Sequence, residues 1–178
     1  MTEPKTLTKM PDEIATDRLL LRAPVHADAK AMQTLANNKN IHRFLSRLSY
    51  PYTHSHALDF INRIARREEE HSYAIINENS DFTGIVSLHL EKGEEMELGY
   101  WLGEDFWGKG YATEAAGSVL GAASKAGITK IIARTIEQNM GSIRVLQKIG
   151  FEKISTQIDD CGPHKGVKVS RLVWYAHP

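Results

Sequence analysis

The sequence predicts a mixed α/β domain: one central sheet of about seven strands with helices on both faces. Three observations carry that reading. The runs SYAIIN, TGIVSLHL and EMELGYWL follow one another between residues 72 and 102, rich in β-branched and apolar residues, the first two separated by the turn-like ENSD. Ahead of them lie stretches whose apolar residues recur at helical spacing. Beyond them helix and strand signals alternate to the C-terminus, as they do when helices cross over between strands of one sheet.

Taken in order, residues 1–13 are polar with Pro4 and Pro11, and a flexible lead-in is expected there, with 14–178 as a single domain. TDRLLLR, Thr16 to Arg22, reads as a first strand closed by Pro24. From Asp28 to Asn38, Ala31, Met32, Leu35 and Ala36 predict a helix. A second helix follows Tyr52, with Ala57, Leu58, Ile61, Ile64 and Ala65 on one face and Arg63, Arg66 and Arg67 on another. After the three clustered strands, a helix is expected from about Thr113 to Lys125, stopped by Gly127. KIIARTI is a strand, GSIRVLQKIG a short helix ending at Gly150, and FEKISTQI and VKVSRLVWY two final strands.

Bulk properties exclude several classes. The chain has 178 residues, 42% hydrophobic and 25% charged, enough for one core without disulfides or metals. Its 22 basic and 22 acidic residues cancel, against a broad nucleic-acid footprint, so no direct nucleic-acid partner is expected. No apolar run approaches the ~20 residues of a membrane span. The start MTEPKTLTKMPDE does not read as a signal peptide. A cytoplasmic protein without a membrane partner is the expectation, and the single Cys161 fits a reducing compartment.

Two segments carry chemistry. In EMELGYWL, alternation puts Met96, Leu98, Tyr100 and Leu102 on one face and Glu95, Glu97, Gly99 and Trp101 on the other. The first face is core. The second suits a cleft wall, with Gly99 leaving room and Glu97 offering a base, or else an exposed sheet edge with solvated glutamates. The other segment, FWGKGYATEAAG, is a glycine-rich turn opening a helix. Such a turn gathers backbone N–H groups and the positive end of the helix dipole around one point, where a phosphate binds without a basic side chain. The spacing is neither that of a nucleotide-hydrolysing P-loop nor of a dinucleotide fold, since Thr113 stands where the latter needs glycine. A tight turn before a small-residue packing helix is the alternative reading.

In combination, the cleft strand, the loop opening a helix, KIIARTI and NMGSIRVLQKIGF resemble the GNAT acetyltransferases. The loop that the family writes Q/R-x-x-G-x-G/A reads Trp107-Gly108-Lys109-Gly110-Tyr111-Ala112, and the later family segment matches Asn139, Ser142, Gly150 and Phe151. TDRLLLR and ELGYWL…FWGKGYATEA look most like the Rim-type N-terminal acetyltransferases of ribosomal proteins. The resemblance implies acetyl-CoA as co-substrate and no metal. It implies that Trp107, Gly108, Lys109, Gly110, Tyr111, Ala112 and Thr113 hold the diphosphate, and that Tyr100, Trp101 and Leu102 pair with the pantetheine arm. Asn139 and Ser142 would approach the arm and sulfur, and Glu97 would be the general base. Trp107 replaces the family's Q/R, and Leu146 stands where many relatives carry an acidic tyrosine, so thiolate protonation falls to Ser142 or water.

The chemistry tolerates those departures. An α-amine has a pKa near ~7.7–8.0, so a modest base acting through water frees its lone pair at neutral pH. A CoA thiol comparable to cysteine at ~8.5 leaves with little protonation. A strand N–H polarises the carbonyl, and the rest is positioning in a ternary complex with no covalent enzyme intermediate. The expected acceptor is a protein or peptide N-terminus, with Ser or Ala of a ribosomal protein the best guess, by a monomer or homodimer. The alternatives are a small-molecule amine (polyamine, antibiotic or amino sugar) or a non-catalytic CoA-binding sensor. Elsewhere, His54 and His56 read as helix-start histidines rather than metal ligands. Asp160 and His164 sit in a polar turn that either lines the acceptor mouth or is a plain loop, and Arg66 to His71 reads as a solvated helix end or a protein-reading surface.

Overall fold

The computed structural model describes residues 4–91, 95–160 and 162–176. Among them an eight-stranded sheet forms the centre. β1 (Ile14–Ala15), β2 (Leu19–Arg22), β3 (Glu70–Asn77), β4 (Phe82–Glu91) and β5 (Glu95–Leu102) are successive antiparallel neighbours. β6 (Lys130–Ile136) lies parallel to β5, and β8 (Lys168–Tyr175) then inserts between β6 and β7 (Glu152–Ile158). Seven strands correspond to the seven expected runs. The eighth, β1, is a two-residue bridge too short to leave a periodic signal.

Among the described residues there are five α-helices: α1 (Ala29–Ala36), α2 (Lys39–His42), α3 (His54–Asp59), α4 (Tyr111–Lys125) and α5 (Met140–Lys148). On one face α4 lays Ala115, Ala116, Val119, Leu120 and Ala123 against Val86, Leu88, Met96 and Leu98. Gly117 and Gly121 lie inside α4, and each costs about 1 kcal/mol in helix propensity. Burying Val119 and Leu120 contributes roughly 1.5–3 kcal/mol apiece, so tertiary packing holds this helix. On the other face α1, Tyr52 and Ala57 pack on Ala74, Ile76, Ile85 and Trp101. Trp101 is therefore part of a second core, not only a cleft wall.

Three expectations are corrected. Residues 4–13 are not a detached lead-in: Pro4–Lys9 form a 3-10 turn whose Leu7, with Met10, is buried in the main core. Tyr73 Oη donates to the Pro11 carbonyl and fastens the segment to β3. Arg66 to His71 is not a solvated helix end, because Glu70 and His71 open β3 and are buried. The second helix is α3 running into a π-helical turn, Phe60–Ile64, and α2 was unsignalled because it spans only four residues. Cys161 lies outside the described residues. Among those described, no helix is long and apolar enough to cross a membrane.

Candidate functional site

Gly108 and Gly110 both adopt left-handed backbone conformations, with φ of 74° and 80°. Only glycine takes that region freely, and Gly110 is the N-cap of α4, which starts two residues earlier than its spacing suggested. The first intrahelical bond runs from Glu114 N–H to the Gly110 carbonyl, at 3.1 Å. The N–H groups of Tyr111, Ala112 and Thr113 precede it and point outward at the positive end of a fifteen-residue helix. Side chains here serve the frame. Tyr111 turns into the core and donates to Glu78 (2.9 Å), and Trp107 Nε1 donates to the Leu102 carbonyl (2.9 Å). Lys109 is exposed, with its Nζ 5.3 Å from the centre of the Phe106 ring.

Arg18, which the sequence reading passed over, fastens this loop. Its NH1 donates to the Lys109 carbonyl (2.9 Å), and its Nε and NH2 meet Glu114 Oε2 at 2.8 and 2.7 Å. Thr16 Oγ1 and the Arg18 N–H complete the hold on Glu114 Oε1, at 2.7 and 2.9 Å. Burial pushes the Glu114 carboxyl up, but the bonds from Thr16 and Arg18 outweigh it and hold it below the usual range. A signal existed: a glutamate in the first turn of a helix expected to hold an anion would repel that anion unless a cation answers it.

β5 and β6 share one registered pair, Glu97 with Ile132, so Gly99 to Leu102 have no strand partner on that side. The two faces of β5 bring different chemistry to this free edge. On one, Tyr100 Oη and Ser142 Oγ are 2.9 Å apart, bridging from β5 to α5. Ser142 is oriented by Asn139, the N-cap of α5, whose Oδ1 accepts its N–H at 3.2 Å. Burial pushes the Tyr100 phenol up to about 12, while the Ser142 hydrogen bond pulls the other way, so it stays protonated at neutral pH. Leu146 is 1% exposed and belongs to the core, so the hydroxyls at this junction come from Tyr100 and Ser142.

On the opposite face Glu97 is buried and not a free carboxylate. Arg134 donates to it from Nε (3.3 Å) and NH2 (2.7 Å). Glu70, His89 and Glu97 stand in register across β3, β4 and β5, with Arg47 on Glu70 at 2.7 Å. His89 Nε2 is 3.8 Å from Glu97, and its Nδ1 has no hydrogen-bond partner among the described residues. Burial, then the cations Arg47, Arg134 and Arg67, pull His89 down to about 3 and keep it neutral. Gly99 faces it: an added Cβ would meet only His89, at 3.6 Å from Cε1. The bare position at 99 thus lies in contact distance of His89, beside the Glu–His–Glu row.

Of the other candidates, His56 Nδ1 accepts the Thr53 N–H (3.1 Å) in a helix cap, and His54 is exposed beside it. His164 ends a 3-10 turn, Gly162–His164, that follows Asp160.

A family model described as "Acetyltransferase (GNAT) domain" matches residues 18–152. The chain is 28% identical over 142 residues to the uncharacterized N-acetyltransferase YnaD of Bacillus subtilis (strain 168), covering 79% of this chain and 82% of that one. Its fold is similar to that of the ribosomal α-N-protein acetyltransferase RimL in complex with coenzyme A, with TM-score 0.79, 19% identity and coverage of 93% and 97%. It is similar also to a spermidine N-acetyltransferase from Vibrio cholerae in complex with coenzyme A and spermine, with TM-score 0.76, 18% identity and coverage of 90% and 96%.

Proposed function

The chain belongs to the GNAT acetyltransferase family, as an acetyl-CoA-dependent N-acetyltransferase, and from that premise we propose that its acceptor is the α-amine of a protein N-terminus. One observation carries the reading: Glu97 and the Tyr100–Ser142 hydroxyl pair flank the free edge of β5 from opposite faces. Acetyl-CoA lies with its diphosphate on the N–H groups of residues 108–113 and its pantetheine arm along Tyr100 to Leu102. The amine enters from the Glu97 side. Its nitrogen attacks the acetyl carbonyl, whose oxygen is polarised by a strand N–H, and its proton leaves through water toward Glu97. The carbon–sulfur bond breaks on the other side, where Ser142, itself bonded to Tyr100, donates to the departing thiolate. Products are an acetamide and CoA.

The ordinary acidities of the two amines favour an α-amine: near ~7.7–8.0 it is partly neutral at pH ~7 and needs less help from a positioned carboxylate than a lysine near ~10.4. A ribosomal protein beginning with Ser or Ala is the candidate acceptor, in line with the similarity to RimL. The test is mass spectrometry of a ribosomal-protein mixture incubated with enzyme and acetyl-CoA, against Glu97→Gln. One protein gaining a single N-terminal acetyl group, only with the intact enzyme, is the expected result. No acetylated protein, with CoA released when small amines are added, refutes the reading and moves the acceptor to a metabolite.

A further inference from the structure

The identity of the acceptor beyond its amine is legible in the charge of the wall that faces β5, and this inference rests on the peptide reading above. From Ala29 to Leu58 the chain carries no aspartate or glutamate, while Lys30, Lys39, Arg43 and Arg47 are all present. The structure sets part of that segment along the Glu97 face of β5. At one end Asn38 and Asn40 donate to the Glu104 carboxylate, at 2.6 and 2.9 Å, just beyond the last residue of β5. At the other, Arg47 reaches Glu70, in register with His89 and through it with Glu97. Residues 38–47 therefore bridge the two ends of that face.

The carboxylates there already have partners. Glu70 is held by Arg47 and Arg67, Glu95 by Arg171 and Lys130, and Glu97 by Arg134. Glu104 takes the two amides, and the exposed Asp105 beside it is the remaining acid at that end. Lys39 and Arg43 are exposed, and neither has a carboxylate partner among the described residues. The Arg43 guanidinium lies 4.5 Å from the Phe44 ring centre. A polycationic acceptor would bring like charges against this wall.

We propose that the acceptor is a peptide N-terminus followed within its first few residues by acidic side chains, which meet Lys39 and Arg43 while the α-amine reaches Glu97. The experiment compares short peptides that begin with Ser and differ only in carrying Asp, Gln or Lys behind the second residue. With acetyl-CoA saturating, kcat/KM is expected to favour the acidic peptide over the neutral one by at least about tenfold, with the basic peptide below both. The preference should shrink as salt shortens the Debye length from ~10 Å to ~3 Å. It should also shrink in a Lys39→Ser, Arg43→Ser variant whose KM for acetyl-CoA and melting temperature are unmoved. Equal turnover of all three peptides, or preference for the basic one, overturns the inference and leaves the peptide reading standing. An acidic preference undiminished in the double variant overturns the assignment to Lys39 and Arg43. Acetylation of no peptide, while spermidine or an amino-sugar phosphate is acetylated, overturns both.

Discussion

The loop at the head of α4 and the Glu97 face of β5 lie at two ends of one strand's influence, and they are built from different material. The loop's surface toward the proposed diphosphate is backbone: left-handed glycines, free N–H groups and a helix dipole, with Tyr111 and Trp107 turned to other tasks. The Glu97 face is the reverse, a buried row of titratable side chains that balance one another through arginines. A site made of backbone tolerates change in most side chains but not in conformation. A site made of paired charges tolerates conformational adjustment but not the loss of one partner, since a buried charge left alone is costly.

The largest effect should follow from attacking conformation. Gly110→Val forces a β-branched residue to a φ of 80° and sets a Cβ 3.3 Å from Arg18 NH2. The loop must move, and acetyl-CoA affinity by calorimetry is expected to fall by at least ~100-fold for an anion held mainly by backbone donors. Affinity within threefold or so of the parent would mean the diphosphate sits elsewhere.

Next comes Glu97→Gln, which keeps the side-chain shape but removes the proton acceptor. Acetyl-CoA binding should persist, while kcat at neutral pH falls on the order of 100-fold, the usual worth of a positioned base. Unchanged turnover would detach Glu97 from the chemistry and leave it as Arg134's structural partner.

Arg18→Ala tests whether the loop is as independent of side chains as its surface implies. It releases the Lys109 carbonyl and leaves Glu114 uncompensated beside the proposed diphosphate. KM for acetyl-CoA should rise about tenfold with kcat at saturation little changed, and Glu114→Gln in the same chain should recover part of the loss. If the double variant is no better than the single, Arg18 acts through the carbonyl alone.

The same contrast explains what was legible in the sequence. Gly108 and Gly110 are local codes: a left-handed turn is written in the residues that make it, so the loop and the start of α4 were readable to within two residues. Alternation likewise gave Gly99 and Glu97 their common face. The pairs that complete the site are not local. Arg18 meets Glu114 across 96 positions, Glu97 meets Arg134 across 37, and Tyr100 meets Ser142 across 42. Tyr100 was assigned to the core by its period, and it does lie on that face, yet its hydroxyl reaches past the core to α5. Nothing in one segment's pattern reports a partner supplied by a distant element.

The smallest effect separates the two regions by pH. His89 is held near 3 by burial first and by neighbouring arginines next, against ~6.5 unfolded. The unfolded chain therefore binds a proton between those values that the folded chain refuses, so stability falls as pH drops through ~6.5 and goes on falling toward 3. Between pH 7.5 and 5 this costs on the order of 2 kcal/mol, or about 4–8 °C in melting temperature for a chain of this size. His89→Gln removes this contribution and should lessen the slope, even if the variant's melting temperature at pH 7.5 is lower. The slope that remains comes from His71, which burial first and Arg66 next pull down to about 4. Arg18→Ala removes the side-chain hydrogen bond and the charge that offset burial at Glu114, so that carboxyl rises, and the change it brings should fall at the acid end of the curve, where carboxylates titrate. Equal slopes in the parent and His89→Gln would show that the buried row takes up protons at little cost. Its arginines, not its histidine, would then set the charge of the face.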